Sequence, residues 1–117
     1  LPTSAQLLRQ QGKLAEARQL LERALAIYEK TCGPDHASTA AALIGLAQVR
    51  RAEKDCTVAH ELFRRALAIC QKLYGPDNPE TKRCGWFTAD ALDALGRGDE
   101  ALALREKYGI TPEKPSA

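Results

Sequence analysis

One phrase occurs twice in this chain. Residues 22–39 read ERALAIYEKTCGPDHAST and residues 64–81 read RRALAICQKLYGPDNPET; ten of the eighteen positions agree, and Arg23 recurs as Arg65, 42 residues on. Ordinary composition would give roughly one or two such matches. The offset extends beyond the phrase: Ala5, Ala47 and Ala89 share a register, as do Ala17, Ala59 and Ala101, and Leu20, Leu62 and Leu104. Three copies therefore fit, the first clipped at its start and the last diverged. A fixed period of roughly 20–50 residues marks units that bury their apolar faces by stacking on one another.

Within each copy the signals are helical. In residues 14–30, Leu14, Ala17, Leu20, Leu21, Ala24, Leu25, Ile27 and Tyr28 fall at three- and four-residue spacing, while Glu16, Arg18, Glu22, Arg23 and Glu29 take the other side. Gly33 offers the left-handed position that ends a helix and Pro34 blocks its continuation. Asp35 or His36 then opens the next helix, as Asn78 does before Pro79. Gly12-Lys13, Lys54-Asp55 and Gly96-Arg97-Gly98 are short enough to force antiparallel pairs. The pattern predicts helices near 2–11, 14–31, 36–52, 56–73, 79–95 and 99–108. No segment alternates with a period of two, so no strand is expected. Leu1 is not an initiator Met and Pro2 fits only a first helical turn, so the first helix is expected to be short and the chain a fragment or a processed protein.

Length gives one domain. With 44% hydrophobic and 27% charged residues the composition is that of an ordinary folded protein. The longest apolar stretch, 40–47, is far short of the ~20 residues a spanning helix needs. The formal charge of +2 supplies no broad field for nucleic acid or an anionic membrane. Cys32, Cys56, Cys70 and Cys84 show no CxxC and no paired His, which reads as buried or half-buried free thiols rather than a metal site or a structural disulfide. A repeat scaffold that opens on no signal segment is expected inside the cell, in the cytoplasm, with its thiols reduced and a removed targeting segment still compatible.

Chemistry is hard to find. His36 sits where a helix cap is needed, and His60 has no neighbouring nucleophile and acid in any motif. Gly96-Arg97-Gly98 lacks the flanking strand and Lys-Ser/Thr ending of a phosphate loop. The residues propose no enzyme, no cofactor and no metal. Arg50-Arg51 and Arg64-Arg65 raise RNA binding, but adjacent helical arginines point about 100° apart, and Glu53, Asp55 and Glu61 dilute their field.

The residues at fixed positions in the copies resemble the tetratricopeptide repeat. That pattern asks for a large residue, Leu-Gly and Tyr on one helix, then Ala, Phe and Ala on the next. The middle copy gives Leu43, Leu46-Ala47, Arg50, Ala59, Phe63 and Ala66; the first gives Leu1, Ser4-Ala5, Leu8, Ala17, Leu21 and Ala24. The 42-residue period exceeds the usual length of about 34, and with RALAIYEK and GPDH it is similar to the long repeats of kinesin light chains and related regulators. Arg50 stands where Tyr is usual. Gly85, Thr88 and Arg105 replace Leu43, Leu46 and Phe63 in the third copy, which reads as a terminal cap.

The resemblance implies an all-α, right-handed solenoid of three antiparallel helix pairs over residues 1–108. Its repeats would be about 1–33, 34–75 and 76–108, with a flexible tail at 109–117. It also implies a concave face lined by the first helix of each pair, with partner-binding positions at Gln6, Arg9, Ile44, Gln48, Arg51, Arg83, Trp86, Phe87, Asp90 and Asp93. The Lys and Asn of the clamp that holds chaperone carboxylate termini do not appear in these rows. The face instead runs from basic at Arg9 and Arg51 to acidic at Asp90 and Asp93, across an apolar step at Ile44, Trp86 and Phe87. Trp86 is either an anchor in this groove or a filler beside Gly85. The implied function is a protein or peptide interaction module; the alternative is a scaffold subunit or oligomerisation segment of a larger assembly, so the chain is expected as a monomer or as part of a complex.

Overall fold

The computed structural model describes residues 4–110, with side-chain surroundings from residue 12 onward. Five helices account for nearly all of it: α1 Ser4–Thr31, α2 Ala37–Ala52, α3 Cys56–Tyr74, α4 Pro79–Ala94 and α5 Gly98–Tyr108. Each packs chiefly on its neighbour in the chain, α1 on α2, α2 on α3, α3 on α4 and α4 on α5. The helix breaks are chemically explicit. Gly33 and Gly75 take φ of 91° and 85°, conformations an L side chain resists, and so end α1 and α3. His36 Nδ1 accepts from the Ser38 amide at 3.0 Å to cap α2, and Asn78 Oδ1 accepts from the Glu80 amide at 2.9 Å with Pro79 at the start of α4. Asp55 caps α3 through the Val58 amide. Thr39, a position shared by the two quoted phrases, donates to the Gly33 carbonyl at 2.8 Å and ties α2 back to the turn before it.

The expected turn at Gly12-Lys13 does not form. α1 runs through it as one helix of 28 residues, so the three expected pairs become one long helix followed by two antiparallel pairs. Helical backbone at Gly12 costs only about 1 kcal/mol relative to Ala. Lys13 stands where Asp55 caps α3, so no acceptor side chain opens a new helix there. Nothing lies within 4 Å of a Cβ built at Gly12, so no packing contact requires the chain to turn.

The core is centred on the middle copy. Leu43, Ala47, Ala59, Phe63 and Ala66 are wholly buried and belong to one cluster that also takes in Ile44, Leu67 and Cys70. Three of these five are alanines, small enough for α2 and α3 to approach closely around Phe63. Arg50, in place of the usual Tyr, reaches Glu22 of α1 at 3.5 Å and Asp55 at 3.9 Å; an ion pair there replaces an aromatic contact.

The third copy keeps its seam by a size exchange. Gly85 and Tyr108 stand at the positions that Leu43 and Ala66 hold in the middle copy. A Cβ on Gly85 would stand 2.6 Å from Ile110 Cδ1 and 3.6 Å from Tyr108 Cδ2. Those two side chains fill the space left by the missing leucine, and the Tyr108 hydroxyl donates to Gln71 of α3. Ile110, assigned by sequence to the tail, thus packs against the core; the rest of the tail, 111–117, lies outside the described residues.

Candidate functional site

α2 and α4 both pack on α3, and a groove opens between α2, the C-terminal end of α3 and the start of α4. It encloses about 230 Å³, with Ala40, Ala41, Ile44, Gln48, Cys70, Tyr74, Glu80 and Arg83 among its lining. The floor is apolar, from Ala40, Ile44 and Cys70. The rim is polar: Gln48 is exposed on one side, and Arg83 pairs with Glu80 at 3.4 Å on the other. Arg51 of α2 and Asp90 of α4 form an ion pair between the same two helices, outside the groove lining.

The expected site residues divide into three groups. Ile44, Gln48 and Arg83 line the groove together. Phe87 turns to the core instead, stacked on Phe63 with ring centroids 5.2 Å apart and planes 10° from parallel. Trp86 is half-buried and meets Phe87 edge-on at 5.4 Å, outside the groove lining, while Arg83 lies over the Phe87 ring at 5.8 Å. The space where a Cβ on Gly85 would stand is lined by Ile110, Tyr108 and Leu67. Arg51, Asp90 and Asp93 form the third group. Arg51 and Asp90 pair with each other, and Asp93 is held by Arg105 of α5. The expected change of sign along the face is therefore largely neutralised within the molecule. Gln6 and Arg9 have side chains outside the described residues.

The stack of Phe63 on Phe87 has a smaller counterpart 42 residues earlier. Leu21 of α1 lies against Gly45 of α2, with its Cδ2 3.2 Å from a Cβ built there. One glycine and one leucine do at the first inter-repeat contact what two phenylalanines do at the second. In the arginine doublets Arg50 and Arg51 are paired as above, while Arg64 and Arg65 are exposed and Arg65 reaches Glu29 at 3.1 Å.

A pair the sequence did not single out is Cys70 on α3 and Cys84 on α4, both buried, with Sγ atoms 3.4 Å apart. Their fourteen-residue spacing matches no metal or redox motif, and only the packing of two repeats brings them together. Cys56 is half-buried, and Cys32, expected to be at least half-buried, is exposed. Among the described residues no three His, Cys, Asp or Glu side chains gather to hold a metal ion. No described helix is long and apolar enough to cross a membrane. His60 is buried at the start of α3; burial first, then Arg97 and Arg64, lowers its pKa below the usual 6.5, against weaker opposing effects of Glu100 and Glu61.

A profile of the tetratricopeptide repeat matches residues 3–72, more than half of the chain. The chain belongs to the tetratricopeptide-repeat family. No curated protein matches it at a significant level. The family match ends within α3, before the copy in which Gly85 and Tyr108 exchange sizes. The register of a tetratricopeptide repeat accounts for the burial of Leu43, Leu46, Ala47, Ala59, Phe63 and Ala66 as one set.

Proposed function

We propose that this tetratricopeptide chain is a non-enzymatic interaction module that holds a segment of a protein partner on the concave side of a right-handed stack spanning residues 1–108, in the manner of the long kinesin-light-chain-like repeats. The observation that carries the reading is the groove between α2 and α4, with Ile44 in its floor and Gln48 and Arg83 on its rim. An apolar floor with a few polar groups around it suits one apolar side chain of an extended or helical segment. Pairing of Arg50, Arg51 and Arg65 with carboxylates weakens the case for nucleic acid, whose affinity rests on free cations. Reduced thiols in the cytoplasm fit the same reading.

The test uses peptides selected from a random displayed library against the immobilised chain. Ala41 is exposed and lines the groove, so Ala41→Arg fills the groove without entering the core. Binding of the selected peptides, measured by calorimetry, is expected to fall at least tenfold in Ala41→Arg, with the helical signal and melting point unchanged. Equal binding by both proteins would remove the groove as the site.

One observation favours the second reading, a self-associating segment of an assembly. α1 leaves bare the face that α2 covers on α3: Ile27 is 58% exposed against 5% for its equivalent Ile69, and Leu20 is 64% exposed. The stripe Ala17, Leu20, Ala24 and Ile27 has the same spacing in both directions, so a second copy can pack antiparallel across it, Leu20 against the partner copy's Ala24 and Ile27 against its Ala17. Light scattering at rising concentration checks this, with Leu20→Glu/Ile27→Glu as the variant expected to remain a monomer.

A further inference from the structure

We propose that Cys70 and Cys84 form a reversible disulfide site that staples the second repeat to the third, made by thiol–disulfide exchange with a low-molecular-weight disulfide such as oxidised glutathione. The two sulfur atoms stand 3.4 Å apart across the α3–α4 interface. A disulfide needs about 2 Å, so the two sulfur atoms must approach by roughly an ångström, a distance side-chain rotation can supply.

Both thiols are buried, Cys70 at 3% and Cys84 at 0% exposure, and their places relative to the groove set the order of events. Cys70 contributes to the floor of the groove beside Tyr74 and Arg83, which gives a small disulfide a way to it. Cys84 lies behind it, wholly buried. The hydrogen bond between the thiols favours the anion on Cys70 and lowers its pKa, although burial opposes this; the same bond and burial push Cys84 strongly up. Of the charged groups beside the pair, Arg83 favours the anion and Glu80 disfavours it.

The chemistry balances with glutathione disulfide as oxidant. Cys70 thiolate attacks one sulfur of the disulfide, forming a mixed disulfide and expelling one glutathione thiolate. Cys84 gives up its proton and attacks the Cys70 sulfur, forming the Cys70–Cys84 bond and expelling the second thiolate. The protein loses two electrons and two protons, and one disulfide molecule becomes two thiols. Cys84 is well placed to resolve the adduct because it already touches the sulfur it must attack.

The bond would close a short loop across the Gly75 turn and join elements of different repeats. A cross-link of this kind restricts the unfolded chain and raises stability where native geometry accepts it.

The experiment uses the full chain with Cys32→Ala and Cys56→Ala, which removes the two thiols outside the pair, alongside the unsubstituted protein. Each is incubated folded with oxidised glutathione and then read by intact mass, by tryptic map and by thermal melting. Cleavage after Lys72, Lys82 and Arg83 separates the two cysteines onto different peptides. The expected result in both proteins is a Cys70–Cys84 linked peptide pair, loss of two hydrogen atoms in the substituted one, and a melting point several degrees higher that dithiothreitol reverses. In Cys84→Ser the reaction should stop at a single glutathione adduct on Cys70. Two adducts without a cross-link, reaction only after unfolding in urea, or a lower melting point in the oxidised form would each overturn the proposal.

Discussion

His60 shows how one buried side chain sets a response of the whole protein. Its neutral form is favoured by burial at the start of α3 and by the nearby Arg97 and Arg64. The folded pKa lies below the unfolded value of 6.5, so between the two the unfolded chain binds more protons than the folded one. Its contribution to stability is complete above pH 6.5 and is lost as pH falls below that value. Melting points measured from pH 7.5 down to about 5.5, above the carboxylate range, should decline, and His60→Gln should flatten the decline. A parent protein equally stable across that window would show that His60 is not held neutral. Phe87 makes the related point about position. Its place in the repeat suggested a ligand contact, yet stacking on Phe63 commits it to the inter-repeat seam.

At the scale of the element, α1 departs most from expectation and offers the sharpest test. Gly12 is helical with open space where a side chain would go, so Gly12→Ala should stabilise the protein by about 1 kcal/mol in urea titration. Were the expected turn present, with a left-handed residue as at Lys54 and Gly96, the same change would destabilise it. The alanines of the helix pairs make a second test. Ala59 and Ala101 are equivalent by the 42-residue offset and both wholly buried, but Ala59 belongs to the main cluster around Phe63 and Ala101 to a small terminal one with Ala89 and Leu92. Ala59→Leu should cost roughly 1–3 kcal/mol by overpacking, and Ala101→Leu less, because the terminal pair can spread. Equal losses would mean that the end copy is packed as rigidly as the middle one.

Across the whole molecule, stability follows from which helices have two neighbours. α3 lies between α2 and α4, whereas α1 packs on α2 and leaves Leu20 and Ile27 exposed. In a stacked chain each unit is held mainly by the units beside it, so opening starts at the ends. Hydrogen exchange of the monomer should find the slowest amides in α2 and α3, with α1 and α5 exchanging through smaller openings. Uniform protection from α1 to α5 would instead describe a single cooperative unit. Ion pairs between α1 and the middle copy, Arg18 with Glu53 at 2.8 Å and Arg65 with Glu29 at 3.1 Å, are partly exposed and add little to the hold on that end.

The period, the helical character, the breaks at Gly33, Gly75 and Asn78-Pro79, and the buried set around Phe63 can all be read along the chain. These depend on spacing along one helix and on backbone chemistry within a few residues, both visible in one dimension. Three of the ten residues that line the groove were legible for the same reason: Ile44, Gln48 and Arg83 follow from helical phase. The tertiary structure decided the rest. Whether Gly12 turns depends on what packs beside it, and nothing does. Whether Arg51 is free depends on Asp90, which arrives on another helix. Gly85 reads as a lost contact until Tyr108 and Ile110 return to fill it, and Cys70 and Cys84 read as unrelated until α4 folds against α3. In each case the deciding partner is at least a dozen residues away, and its contact depends on side-chain size and reach across an interface, which no local pattern encodes.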